Sequence, residues 1–125
     1  MVTIEEAGEM LDAIAEEIPR EFYRELNGGI ILSPDTKLHP LANDLYIMGT
    51  YHQDLRGLGR YIIIYYGSIL RVYGYYNHEQ MRAKLREVLL HEFTHHMENL
   101  AGEHGLEIKD AQDLAKFRRQ RDLPT

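Results

Sequence analysis

A long helix is written between Asn77 and Ala101, and it carries a fixed chemistry on one side. Asn77 is a fit N-cap, and Gln80 stands three residues on, in the reciprocal position of a capping box. Leu85, Leu89 and Phe93 step by four along one face, flanked by Met81 and Met97. Gly102 and Gly105 are the stop signals, so the helix is expected to end near Ala101. Inside it lies HEFTH: His91, Glu92 and His95.

Residues four apart on a helix sit one turn apart on the same side. His91 and His95 can therefore offer two imidazole nitrogens to one metal ion. Zinc suits two imidazoles with one further oxygen or nitrogen ligand and a water. Glu92, beside the first histidine, is placed to reach that water as general base rather than to bind the ion. Val88, Glu98, Asn99 and Gly102 share the side that carries the two histidines, and the apolar stripe lies opposite. The competing reading is a solvated helix with surface histidines. His96, next to the second ligand, points off the metal side and is read as a residue supporting a ligand or as a surface residue.

Composition narrows the partners. The net charge of -6 offers no global basic field for nucleic acid or anionic lipid. There is no cysteine, which removes disulfides and thiolate zinc ligands and suits a reducing cytosol. The first residues, MVTIEEAGEM, lack a basic segment followed by an apolar run, so a secretory signal is not expected. The longest apolar run, Tyr61 to Tyr66, is too short to span a bilayer. A chain of 125 residues is read as one domain over 1–125, cytoplasmic, with neither nucleic acid nor membrane as partner.

Ahead of the long helix, Thr3 and Glu6 form a capping-box pair. Ile4, Ala7, Leu11, Ile14 and Ile18 then recur at helical spacing until Pro19. Phe22, Tyr23 and Leu26 suggest one more short helical stretch, stopped by Asn27-Gly28-Gly29. GIIL begins a strand, Ser33-Pro34-Asp35 turns, and Lys37 to Asp44 reads as loop. Leu45 to Tyr51 reads as a strand, HQDLRGLG as a loop, and Arg60 to Tyr66 as the strongest strand. Gly67-Ser68 is read as a hairpin turn with ILRVY as its returning strand, ended by Gly74. A last helix is expected from Asp110 to Arg119. The sum is an α+β fold: N-terminal helix, a small sheet of three to four strands, the long HExxH helix and a short C-terminal helix.

EEIPREF before NGGIIL, DLYIMGTYHQ, YIIIYYGSILRVYG and above all LREVLLHEFTHHME resemble the minimal zincin-like metallopeptidases. These are small single-domain HExxHH proteins, and the resemblance runs over nearly the whole chain. It implies a zincin fold and a zinc-dependent peptidase acting on a peptide or protein, with Zn2+ on His91 and His95 and Glu92 as catalytic base. The family pattern places a glycine soon after the second histidine and an acidic ligand three residues later. This chain departs from it, because Gly102 comes seven residues after His95. The family aspartate precedes the last helix, and Asp110 holds that place in order, so Asp110 is favoured as third metal ligand. Glu103 and His104 are its rivals, and Glu98 is read as a partner of a ligand histidine. The alternative function is a zinc-binding zincin scaffold without catalysis that binds a peptide or protein.

Tyr61, Tyr65, Tyr66, Tyr73, Tyr75 and Tyr76 crowd the approach to the long helix. Most are read as packing, and one hydroxyl near the metal could stabilise an oxyanion. The strand Tyr61 to Tyr66 is read as an edge that an extended peptide could join. Arg71 is a weak candidate for a carboxylate partner. His39, His52 and His78 are read as surface residues in loops or caps, and the tail KFRRQR as a solvated helix end.

Overall fold

The computed structural model describes residues 1–104. Its elements are α1 (Ile4–Glu17), β1 (Gly29–Ser33), β2 (Lys37–His39), β3 (Ala42–Ile47), β4 (Gly49–Asp54), β5 (Gly59–Tyr65), α2 (Tyr66–Tyr73) and α3 (His78–His104). The architecture is α+β, as expected. The helix expected from Asp110 to Arg119 and the basic tail lie outside the described residues.

Local signals account for both long helices. The Thr3 hydroxyl accepts from the Glu6 N–H at 3.1 Å, and the Glu6 carboxylate accepts from the Thr3 N–H at 2.9 Å. Ala7, Leu11 and Ile14 are buried, and the helix stops at Ile18 before Pro19. A single 3-10 turn, Arg20–Tyr23, then buries Phe22. At α3 the Asn77 side chain accepts from the Gln80 N–H at 2.8 Å, and the Gln80 side chain accepts from the Asn77 N–H at 3.0 Å. Twenty-seven residues make α3 about 40 Å long. It runs past Ala101 and through Gly102, where an added Cβ would meet nothing within 4 Å, so this glycine is no stop.

Two sheets replace the expected one. β1, β5 and β4 form a three-stranded sheet in that order, with β1 parallel and β4 antiparallel to β5. The segment read as loop from Lys37 supplies an antiparallel hairpin of β2 and β3. The strand expected from Leu45 to Tyr51 is divided at Met48 between β3 and β4. HQDLRGLG is partly strand: β4 extends to Asp54, and His52 lies within it, stacked on Tyr61 at 4.8 Å.

The returning strand after Gly67-Ser68 does not exist. The chain passes from β5 straight into α2, which buries Tyr66, Ser68 and Ile69. Gly67 is needed for close approach rather than for a turn. A Cβ there would lie 2.5 Å from the Pro34 carbonyl oxygen and 2.6 Å from that of Asp35. The buried Ser68 hydroxyl accepts from the Lys37 N–H at 2.8 Å and donates to the Lys37 carbonyl at 3.2 Å. That pair of bonds fixes the start of β2.

The core fills the space between the helices and one face of the larger sheet. α3 packs against α1 on one side and against β4 and β5 on the other. Ile14 of α1, Ile62 and Ile64 of β5, and Leu85, Leu89 and Phe93 of α3 are all buried within it. Because β5 lies between β1 and β4, it has no exposed edge. The edge assigned above to Tyr61–Tyr66 therefore belongs to β4, the outer strand beside α3.

Candidate metal and peptide site

His91 and His95 project from the exposed side of α3, while Glu92 between them is buried to 5% exposure. The two Nε2 atoms stand 3.2 Å apart and the rings are perpendicular. Two nitrogens bound to one zinc at about 2.0–2.1 Å with near-tetrahedral angles lie about 3.3 Å apart. The pair thus fits joint ligation of one ion, and the same separation also suits an N–H of one ring donating to the other. Glu98 Oε1 lies 3.5 Å from His95 Nδ1, where a carboxylate can orient the ring from behind.

Glu92 lies under β4. A Cβ on Gly49 would come within 3.1 Å of Glu92 Oε2 and 2.9 Å of Val88 Cγ1, so the glycine makes room for the carboxylate against the strand. Burial pushes the Glu92 carboxyl up from its ordinary range, and the positive field of His95 partly opposes this. A carboxylate raised in this way is a better proton acceptor than a free one.

Among the described residues, no group of three or more His, Cys, Asp or Glu side chains is arranged to hold a metal ion. The structure brings His91, Glu92 and His95 together. Asp110 and the side chains of Glu103 and His104, the three candidates for a further ligand, lie outside the described residues.

Two clefts meet above Glu92. One, of about 370 Å³, lies toward the N-terminal half of α3 and is lined by Tyr46, Ile47, Met48, Lys84 and Val88. The other, of about 690 Å³, is lined by Thr50, Gln53, His95, Glu98 and Asn99. Gly49, His91 and Glu92 belong to both. None of the six tyrosines of the aromatic zone lines either cleft. Tyr46 and Tyr51 do, one in each, and sequence reasoning passed over both. Arg71 is exposed on α2, away from both clefts.

His96 is neither a surface residue nor a neighbour of the two ligands' nitrogens. It is fully buried, with Nε2 donating to the Arg24 carbonyl at 2.8 Å and Nδ1 facing the Tyr51 hydroxyl at 2.7 Å. With Nε2 protonated, a neutral ring leaves Nδ1 as acceptor, so Tyr51 donates to it. Asn99 Oδ1 accepts from Arg60 Nε at 2.9 Å in the same region. His96 thereby ties α3 to β4 behind the exposed pair. His39 and His78 are in β2 and at the start of α3, the latter 2.6 Å from Glu6.

Burial lowers the His96 pKa from 6.5, so the neutral ring is what the fold stabilises. The unfolded chain then binds the proton first as pH falls. Stability is whole above 6.5 and declines below it toward the folded value. His96→Leu deletes both hydrogen bonds at a fully buried position and is expected to cost about 1–3 kcal/mol. It should also flatten the decline. Urea unfolding of zinc-free protein above and below pH 6.5 checks both, and an unchanged pH slope in the variant refutes the assignment.

The family model described as zincin-like metallopeptidase matches residues 32–115, a span that includes β2 to β5, α2, α3 and the HEFTH residues. No curated protein matches the chain. Among solved structures, a conserved hypothetical protein from T. thermophilus is 34% identical, with a TM-score of 0.70. That match covers 81% of this chain and 99% of the other.

Proposed function

Because the chain belongs to the zincin-like metallopeptidase family, we propose that it is a zinc-dependent peptidase. His91 and His95 are the helical ligands, Asp110 is the third, and Glu92 is the catalytic base. The observation that carries this is the pair of Nε2 atoms at 3.2 Å with a buried carboxylate between them under an edge strand. When bound, zinc would polarise the scissile carbonyl and lower the pKa of the attacking water.

The chain's own residues do the rest. Glu92 accepts a proton from the attacking water and returns it to the leaving nitrogen. Gly49 lets the strand lie close over Glu92, which leaves the carboxylate largely buried at the floor of the two clefts. An extended peptide is positioned as an added strand on the outer side of β4. Tyr65 N–H donates to the Met48 carbonyl at 2.8 Å, so alternation leaves the N–H and C=O of Gly49 and Gln53 turned away from β5. Those groups face the position of such a peptide.

The test is digestion of a diverse peptide library by zinc-loaded protein, read by mass spectrometry. Cleavage should vanish with a chelator and return with zinc. No cleavage across the library would favour the other family-compatible reading, a zincin scaffold that binds peptides without cutting them.

A further inference from the structure

We infer that Asn99 anchors the substrate backbone in this chain: its side-chain amide, one helical turn beyond His95, donates to a main-chain carbonyl of an extended peptide in the wider cleft. The inference rests on the peptidase reading above and adds a residue that holds the polypeptide whatever its side chains are.

Asn99 follows His95 by four residues, so it stands on the same side of α3. It is half-buried and lines the wider cleft with Thr50, Gln53, His95 and Glu98. Its oxygen is already committed. Oδ1 accepts from Arg60 Nε at 2.9 Å, and Arg60 is only 6% exposed. Arg60 is in turn held by Glu25 Oε1, 3.5 Å from its Nη1. A guanidinium has donors and no acceptor, so the amide cannot turn its nitrogen that way. The Tyr51 hydroxyl stands 3.3 Å from the same oxygen, while its proton goes to His96 at 2.7 Å. The amide is therefore fixed with Nδ2 on the side away from Arg60. Among the described residues nothing accepts from Nδ2. A donor fixed in advance loses little freedom when a ligand arrives.

The wider cleft has need of such a donor. Along an added strand, successive residues turn their N–H and C=O alternately toward β4 and away from it. The carbonyls turned away meet no strand and need a donor once water is displaced. On the α3 wall, His91 and His95 are the proposed zinc ligands, Glu92 the proposed base, and the Glu98 carboxylate accepts only. Asn99 is what remains on that wall to donate.

The test compares Asn99→Asp with Asn99→Ala at matched zinc content. Each is made in wild type and in full-length Glu92→Gln used as a trap that holds peptides without cutting them. Both are exposed to one diverse library of extended peptides. Aspartate keeps an oxygen for Arg60 and loses the donor, whereas alanine loses both. Retention should fall about three- to tenfold in Asn99→Ala, the net worth of one hydrogen bond. It should fall about tenfold or more in Asn99→Asp, where an oxygen opposes the carbonyl. In the cutting background the loss should fall on KM more than on kcat. Every residue has a carbonyl, so the side-chain preferences of the retained peptides should not change. Thermal unfolding of zinc-free protein should leave Asn99→Asp at least as stable as Asn99→Ala, since only alanine takes an acceptor from Arg60. Weakened retention in both variants, with no cleavage by wild type, leaves the anchor standing and refutes the peptidase reading. The anchor is overturned by undiminished retention in Asn99→Asp, by a changed side-chain preference at one peptide position, by Asn99→Asp unfolding before Asn99→Ala, or by failure of the trap to retain any peptide.

Discussion

His91→Ala and His95→Ala should each abolish zinc binding by otherwise folded protein. Both rings are exposed, so neither substitution opens a cavity in the core. Losing a group that only orients a ligand histidine typically costs 10- to 100-fold in metal affinity. Losing one of two imidazoles whose Nε2 atoms converge to 3.2 Å should cost well over about 100-fold. Glu98→Ala, which removes the carboxylate 3.5 Å from His95 Nδ1, should fall within the smaller range. Asp110→Ala should resemble the histidine variants, while Glu103→Ala and His104→Ala should hold zinc normally. Elemental analysis of protein purified without added metal gives the stoichiometry. Zinc should also raise the unfolding temperature of wild type but not of the two histidine variants, because an ion that binds only the folded state stabilises it. Equal zinc in wild type and both histidine variants would refute the ligand assignment. Loss in Glu103→Ala or His104→Ala, with Asp110→Ala unaffected, would move the third ligand to that residue.

What could be read from the sequence was what neighbouring residues decide. The capping boxes at Thr3 and Asn77 close within three residues, so α1 and the start of α3 were legible. HEFTH was legible because helical spacing alone puts His91 beside His95. α2 was misread because Gly67-Ser68 looks like turn chemistry, whereas both residues answer distant backbone at Pro34 and Lys37. A signal was present in Tyr66, Ile69, Leu70 and Tyr73, which recur at helical rather than alternating spacing. The hairpin of β2 and β3 had weak local propensity, and the Ser68 hydroxyl that anchors β2 lies 31 residues away in the chain.

The pairing of β5 was also foreshadowed. An unbroken apolar run such as YIIIYY is typical of a strand in parallel pairing, where a half-solvated antiparallel strand would alternate, and β5 does pair in parallel with β1. Its buried Ile62 and Ile64 face the helices, and both flanks are paired. His96 had its own signal, for Leu89, Phe93, His96 and Leu100 follow helical spacing and all four are buried. Its burial came as a correction because a histidine beside two candidate ligands invites a surface reading. The clefts were not legible, since Met48 and Val88 meet only through the packing of β4 on α3.

Glu92→Gln should lower peptide hydrolysis by a hundredfold or more, about the usual worth of a positioned general base. Glutamine keeps the size and hydrogen-bonding reach of the side chain but cannot take the proton. Gly49 leaves just enough room for a group of that size, so the strand should not move. Zinc content should be unchanged, because Glu92 is one residue from a ligand and lies beneath the site rather than on the ion. The variant should also be the more stable protein when zinc-free. Burial raises the folded pKa of Glu92 above its ordinary 4.5, so the folded state holds the proton longer than the unfolded chain does. Stability is therefore lost as pH rises from 4.5 through the folded value, and glutamine, which does not titrate, removes that loss. A catalytic base held at the expense of stability gives this pair of opposite changes, slower chemistry with a firmer fold. Undiminished cleavage by Glu92→Gln would trace the activity to a contaminating protease. Reduced cleavage with reduced stability would mean that the carboxylate holds the strand in place rather than moving a proton.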